Sequence, residues 1–238
     1  MSGHFRVGSS LERPSMRPLL PLLVAVAAAS SASAATTDAQ LKQLLADSAR
    51  ASVVGFERTT KAELRADPAK EPALVVDRFT PKSATAGSWT LISVDGRKPT
   101  PEELAAHAKG NGNPPGFQNL HKLLTATPSS RREVDGKTVF LWKSLPKGAV
   151  VTPGGDISTG LSAEATMDGA TLHQVRIFAA NPIRVKIVAS VNKFNVTSLY
   201  RQGANGVPFL TTQTSETDVT APMGMGGKRR SQASFKPL

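Results

Sequence analysis

The stretch from Leu161 to Phe235 constrains this chain most, because strand-length segments follow one another there with turn residues between them. LSAEATM leads to Asp168-Gly169, ATLHQVRIFAA to Asn181-Pro182, IRVKIVASVNKFNVTSLY to Asn205-Gly206, then VPFLTTQT and a closing SQASF. Asp-Gly and Asn-Gly between alternating segments are strong hairpin signals, since both central positions of a type I′ turn need positive φ. The pattern predicts an antiparallel meander in which each strand pairs with its sequence neighbour and on which the earlier chain packs.

That earlier chain reads in the same terms. Thr37 or Asp38 can cap a helix whose Leu41, Leu44, Leu45 and Ala49 form a one-sided stripe. SVVGFERTTKAELRA, PALVVDRFT and SWTLISV follow as three strands, the last ending at Asp95-Gly96. Thr100-Pro101-Glu102-Glu103 has the capping-box order with proline at the first helical position, and predicts a helix to about Lys109. GNGNPPG breaks it, and GFQNLHKLL starts a second helix. RREV, Asp135-Gly136 and KTVFLWKSL form another hairpin, while LPKGAVVTPGGDISTG has too little pattern to assign. The expected fold class is mostly β (α+β): a curved, open antiparallel half-barrel sheet with a few short helices covering its concave face.

At the start, Arg13 and Arg17 precede the apolar run Leu19 to Ala29, and Ala32-Ser33-Ala34 completes the pattern of a secretory signal peptide over residues 1–34. Met16 stands directly before Arg17-Pro18-Leu19-Leu20 and reads as the initiator, making residues 1–15 an upstream start. The apolar run is shorter than the ~20 residues of a transmembrane helix, and none later matches it, so residues 35–238 read as a single soluble domain. Cysteine is absent, which excludes disulfides, thiolate metal ligation, a cysteine nucleophile and a lipid-modified cysteine. The expected location is the periplasm, or secretion beyond it. Without residues 1–34 the chain keeps 26 basic and 17 acidic side chains, a net charge of +9. A basic exported protein favours anionic head groups and acidic partners, and export argues against nucleic acid.

Catalytic and metal-binding patterns are weak. His107, His121 and His173 lack a second ligand-type residue at metal spacing, Glu102 and Glu103 belong to a helix start, and the glycine-rich stretches fail as phosphate loops. No cofactor, metal or catalytic residue is assigned. The remaining features are apolar: Phe56, Trp89, Leu91, Phe140, Trp142, Val175, Ile177 and Val188 in strands, and Phe117, Leu120 and Leu124 on the helical segment. Two readings stay open for them, an ordinary filled core and a pocket for an acyl chain. In the second, Glu102 to Leu124 is a lid hinged at Gly110, Gly112 and Gly116.

The order of elements, with the stretch WTLISVDGRKPT from Trp89 to Thr100, resembles a group of uncharacterised exported proteobacterial proteins with a W-x-L-x-x-x-(D/N)-G-x-x-P-T signature. More distantly it is similar to the periplasmic lipoprotein-carrier family of LolA/LppX-like fold. That resemblance implies a curved sheet around helices with a hydrophobic cavity, and non-enzymatic binding and transfer of lipid or lipidated protein in outer-membrane biogenesis. The alternatives are a structural or regulatory domain of the same fold that contacts another envelope protein without ligand, and an enzyme working through carboxylates such as Asp77, Asp95 or Asp156.

Overall fold

The computed structural model describes residues 25–83, 87–110, 114–152, 154–185, 189–203, 206–222 and 226–238. The chain divides into two units, Met1–Thr36 and Thr37–Leu238. In the first, the described residues 25–36 are helical. Apart from the first part of helix α1 (Ala25–Arg50), everything below concerns the second.

Helix α1 (Ala25–Arg50) does not begin at Thr37 or Asp38 as the capping signal predicts. The alanine-rich run before them has high helix propensity and carries the helix straight through. The predicted stripe is present in part: Leu41 and Leu44 are buried with Ser48 on the same face, Leu45 is half-buried, and Ala49 is exposed.

Eleven strands then form one open antiparallel sheet: β1 (Phe56–Leu64), β2 (Leu74–Pro81), β3 (Gly87–Val94), β4 (Ser130–Val134), β5 (Lys137–Trp142), β8 (Leu161–Asp168), β9 (Thr171–Ala179), β10 (Ile183–Val185), β11 (Ala189–Gln202), β12 (Pro208–Thr220) and β13 (Gly227–Pro237). Ten of them lie side by side in the order β3-β2-β1-β13-β12-β11-β9-β8-β5-β4, and β10 pairs with β11. The meander from β8 to β13 follows the sequence pattern, with one change. IRVKIVASVNKFNVTSLY supplies two strands, β10 and β11, that pair with each other. The earlier strands extend the sheet instead of packing on it. β1 pairs with β13, joining the two ends of the domain, and β5 pairs with β8. A sheet edge with unpaired backbone groups takes a further strand more readily than a half-polar sheet takes a second layer.

The turns obey the same local rules. Asp135 and Gly136 sit at φ 50° and 75° between Val134 and Lys137, the type I′ arrangement, and Asp95-Gly96 does likewise at φ 49° and 77°. At Asp168-Gly169 the turn is displaced by one residue. Asp168 pairs with Thr171, so Gly169 (φ 57°) and Ala170 occupy the centre, and glycine holds the first central position as in a type II′ turn.

Helix α2 (Pro101–Gly110) starts on the predicted capping box: Thr100 N–H donates to Glu103 Oε2 at 2.8 Å, and Glu103 N–H to Thr100 Oγ1 at 3.3 Å. The second helix is shorter than predicted, a 3-10 turn (Phe117–Asn119) running into a single α turn, α3 (Leu120–Leu123). The unassigned stretch holds a two-residue strand pair, β6 (Val151–Thr152) with β7 (Gly155–Asp156), and a 3-10 turn at Ser158–Gly160.

Cross-strand register divides the sheet into two faces. Phe140, Ala165 and Val175 are directly opposed on β5, β8 and β9, and Val175, Ser198, Gln213 and Ala233 continue the same row across β9, β11, β12 and β13. This face carries the core together with α1 and the Phe117–Leu124 segment. The opposite face is laced with ion pairs, Arg132 with Glu164 at 2.8 Å, Lys193 and Arg230 with Glu216 at 2.8 and 3.1 Å, and Arg78 with Glu57 at 3.0 Å. One buried and one charged face is what period-two alternation produces in an antiparallel sheet.

Candidate functional site

The middle of the covered face is roofed by Pro114 to Leu124. Phe117, Leu120 and Leu124 are 4%, 1% and 1% exposed and enter the core. Ser48 on α1 ties the roof down. Its hydroxyl donates to the Phe117 carbonyl at 2.7 Å and accepts the His121 backbone N–H at 3.0 Å, a buried side chain satisfying two backbone groups at once. The Trp142 indole N–H donates to the Ala126 carbonyl at 2.7 Å and fixes the end of the segment. At its start Gly116 has φ 153°, and a Cβ there would stand 2.5 Å from the Gln118 amide oxygen. Glycine is therefore favoured at that position by conformation, while the end of the flexible Gln118 side chain can move aside for a Cβ.

Between this roof and the sheet lies a cavity of about 350 Å³. Its floor is Val175 and Ile177 of β9, Val196 and Tyr200 of β11 and Leu210 of β12. Leu120 and Leu123 close it from above, and Gly148 and Ala149 from the side. Polar groups make up a large part of the lining: Ser198 and Gln213, which bond to each other at 3.0 Å, and Tyr200 on the floor, with Asn119 and Lys122 on the roof. Burial pushes the Tyr200 phenol upward, keeping it neutral. The Gly148 wall is held by Asp156, whose carboxylate accepts the Gly148 N–H at 2.8 Å and the Ser158 N–H at 3.0 Å. These bonds, the Ser158 hydroxyl foremost, lower the Asp156 pKa. A second cavity, of about 560 Å³, opens between α1 and the tips of the β8–β9 and β11–β12 hairpins. Leu44, Phe117 and Val207 line it together with the exposed Asp47–Arg50 ion pair.

Of the residues predicted to line an acyl site, Leu120, Val175 and Ile177 meet at the 350 Å³ cavity. Phe117 lines the larger one. Leu124, Phe140 and Trp142 are 1%, 0% and 1% exposed and belong to the packed core. Phe56 and Trp89 lie at the other end of the sheet, in an aromatic cluster with Phe79 and Phe235 whose ring centroids are 5.3–5.7 Å apart. Leu91 is buried on β3. Val188 lies outside the described residues. Of the proposed hinge glycines, Gly110 ends α2 and Gly116 precedes the 3-10 turn, while Gly112 lies outside the described residues.

Sequence reasoning missed a charged group beside the aromatic cluster. Asp77 is 1% exposed. Arg58 grips its carboxylate with two bonds, Nε to Oδ1 at 2.9 Å and Nη2 to Oδ2 at 2.5 Å, and His107 Nε2 stands 3.0 Å from Oδ2. The Arg58 guanidinium also lies 4.5 Å over the Trp89 ring. The signal was in the strand phase. Arg58 follows the inward Phe56 by two residues, and Asp77 precedes the inward Phe79 by two, so both charges had to point inward. The carboxylates Asp77, Asp95 and Asp156 stand apart: Asp77 holds Arg58, Asp95 accepts the Ala73 and Leu74 N–H groups at 2.8 Å each, and Asp156 holds its loop. His121 sits against Ser48, and His173 is the extra residue of a bulge opposite Thr166 and Met167. Among the described residues no three His, Asp or Glu side chains are grouped to hold a metal ion, and no helix is long and apolar enough to cross a membrane.

No protein family, curated protein or solved structure matches this chain.

Proposed function

We propose that this protein binds a lipid or lipidated protein non-enzymatically in the periplasm and passes it on, with one acyl chain held in the 350 Å³ cavity. The observation that carries this reading is the cavity's position: it lies under the Pro114–Leu124 roof and over the apolar residues of β9, β11 and β12. Its volume is at the lower end of small-molecule sites, roughly 300–1,000 Å³, which suits one chain rather than a two-chain lipid buried whole. At ~0.8 kcal/mol per buried methylene, six methylenes contribute about 5 kcal/mol, between millimolar and micromolar affinity before any head-group contact. Lys122 on the roof and the exposed Lys147 beside Gly148 supply positive charge for an anionic head group.

A second reading is a protein-contact domain with a filled interior. The near-complete burial of Phe117, Leu120, Leu124, Phe140 and Trp142 favours it. Native mass spectrometry of the detergent-free periplasmic protein separates the two. The lipid reading requires an added mass that extracts into organic solvent, and its loss from Val196→Trp, which fills the cavity from a half-buried strand position. A bare mass with no uptake of added phospholipid or lipopeptide refutes it in favour of the protein-contact reading.

A further inference from the structure

The floor of the 350 Å³ cavity carries three polar side chains in one cluster. Ser198 and Tyr200 stand two residues apart on β11, hence on the same face, and are 8% and 6% exposed, while Gln213 lies opposite Ser198 on β12. Gln213 Nε2 donates to Ser198 Oγ at 3.0 Å, and the Ser198 side chain is also hydrogen-bonded to the Tyr200 hydroxyl. The rest of the floor is Val175, Ile177, Val196 and Leu210. Packing alone asks for apolar side chains at such positions, because a covered polar group costs free energy wherever its bonds are incomplete.

Counting hydrogens shows what the cluster leaves over. A hydroxyl has one hydrogen to give, and a glutamine amide has two hydrogens and a carbonyl oxygen. Ser198 Oγ accepts from Gln213. Ser198 and Tyr200 share one bond but bring a hydroxyl hydrogen each, so whichever of them donates, one hydrogen finds no acceptor within the cluster. Gln213 Oε1 likewise finds no donor within it. One donor and one acceptor therefore remain, on adjacent strands, in the lining of the cavity.

We infer that this cluster binds the amide linkage of an N-acyl ligand, the spare hydroxyl hydrogen on β11 donating to the amide carbonyl and Gln213 Oε1 accepting the amide N–H. The inference rests on the acyl-chain reading and names the linkage that the ligand carries. An ester-linked chain meets only half of the cluster, since an ester has a carbonyl but no hydrogen to give. A hydroxyl part-way along a chain would use both groups, but it would leave Asn119 and the exposed Lys122, which line the same cavity, against methylenes. An amide at the head of the chain keeps the polar groups of the ligand together, as the cavity does.

Isothermal titration calorimetry of the full chain, purified without detergent, tests this with N-myristoylglycine and its ester counterpart O-myristoylglycolate. The two share chain and carboxylate and differ only in the N–H. The amide is expected to bind about ten- to a hundredfold more tightly, because the ester leaves Gln213 Oε1 covered without a donor. Gln213→Leu should abolish that preference. Ser198→Ala with Tyr200→Phe removes the donor that both ligands use and should weaken both; if that variant fails to fold, the wild-type ratio and Gln213→Leu still decide. Equal binding of amide and ester overturns the inference and leaves the acyl-chain reading standing, whereas binding of neither overturns both. A preference that survives Gln213→Leu, or affinities unmoved by loss of the two hydroxyls, also overturns the inference.

Discussion

Replacing Arg58 by methionine isolates the inward-facing charge group. The substitution keeps most of the aliphatic stem that packs beside Trp89 and removes the guanidinium. Asp77 then loses both bonds of its bidentate partner while remaining 1% exposed, with His107 as its remaining side-chain neighbour. Removing one member of a buried ion pair costs ~3–5 kcal/mol, mostly because the surviving charge stays desolvated. Arg58 is 23% exposed, so water can reach part of the vacated space, and the lower end, about 3 kcal/mol, is expected. Arg58→Met with Asp77→Leu removes both charges and leaves apolar groups beside the Phe56–Phe79–Trp89 cluster; it should recover most of that loss, to within about 1 kcal/mol of wild type. Equilibrium urea unfolding reads both. With a slope of ~3 kcal/mol per molar, the single variant moves the midpoint down by about 1 M and the double by a third of that. A single variant as stable as wild type, or a double variant that loses as much as the single, refutes the assignment of Asp77 as a buried charge compensated by Arg58.

The start of α2 should respond to acid. Glu103 bonds Arg97 through both carboxylate oxygens, at 2.7 and 2.9 Å, and also accepts the Thr100 N–H, which lowers its pKa to about 2. A depressed carboxylate stabilises the fold fully above the ordinary value of 4.5 and loses that contribution as pH falls toward 2. A carbon-detected NMR titration should place the Glu103 midpoint well below 4, and a midpoint at 4 or higher contradicts the Arg97 contact. Ser48→Ala removes the tie between α1 and the cavity roof, leaving the Phe117 carbonyl and the His121 N–H without that partner. A loss of about 2–3 kcal/mol is expected, with faster amide exchange from Phe117 to Leu124 than elsewhere in the domain. Uniform exchange would show that the roof is held by its apolar contacts alone.

Much of the architecture was legible because it rests on local rules. Asp135-Gly136 and Asp95-Gly96 dictate their turns through positive φ, and Thr100 with Glu103 dictates a helix start. Alternation assigns Phe140, Val175 and Phe235 to an inner face. Two local signals lost to stronger neighbours: Asp38 as a cap, overrun by the alanine-rich helix before it, and Asp168-Gly169, displaced by one residue to Gly169-Ala170 where the β8–β9 register shifts.

The sequence by itself determined most of the strands and turns and much of which strand residues face inward, because backbone geometry depends on residues near in the chain. Only the tertiary structure decided how strands distant in the chain become neighbours and which inward residues meet. β1 joins β13 across the whole domain, and Ser48 reaches Phe117 and His121 about seventy positions away. Arg58 finds Asp77 on the adjacent strand rather than another carboxylate. A single strand records that its residue points inward, but the partner there depends on register across the sheet and on what the roof leaves open. The cavity under Leu120 is of that kind: no one segment encodes a space that exists only where three strands and a short helix come together.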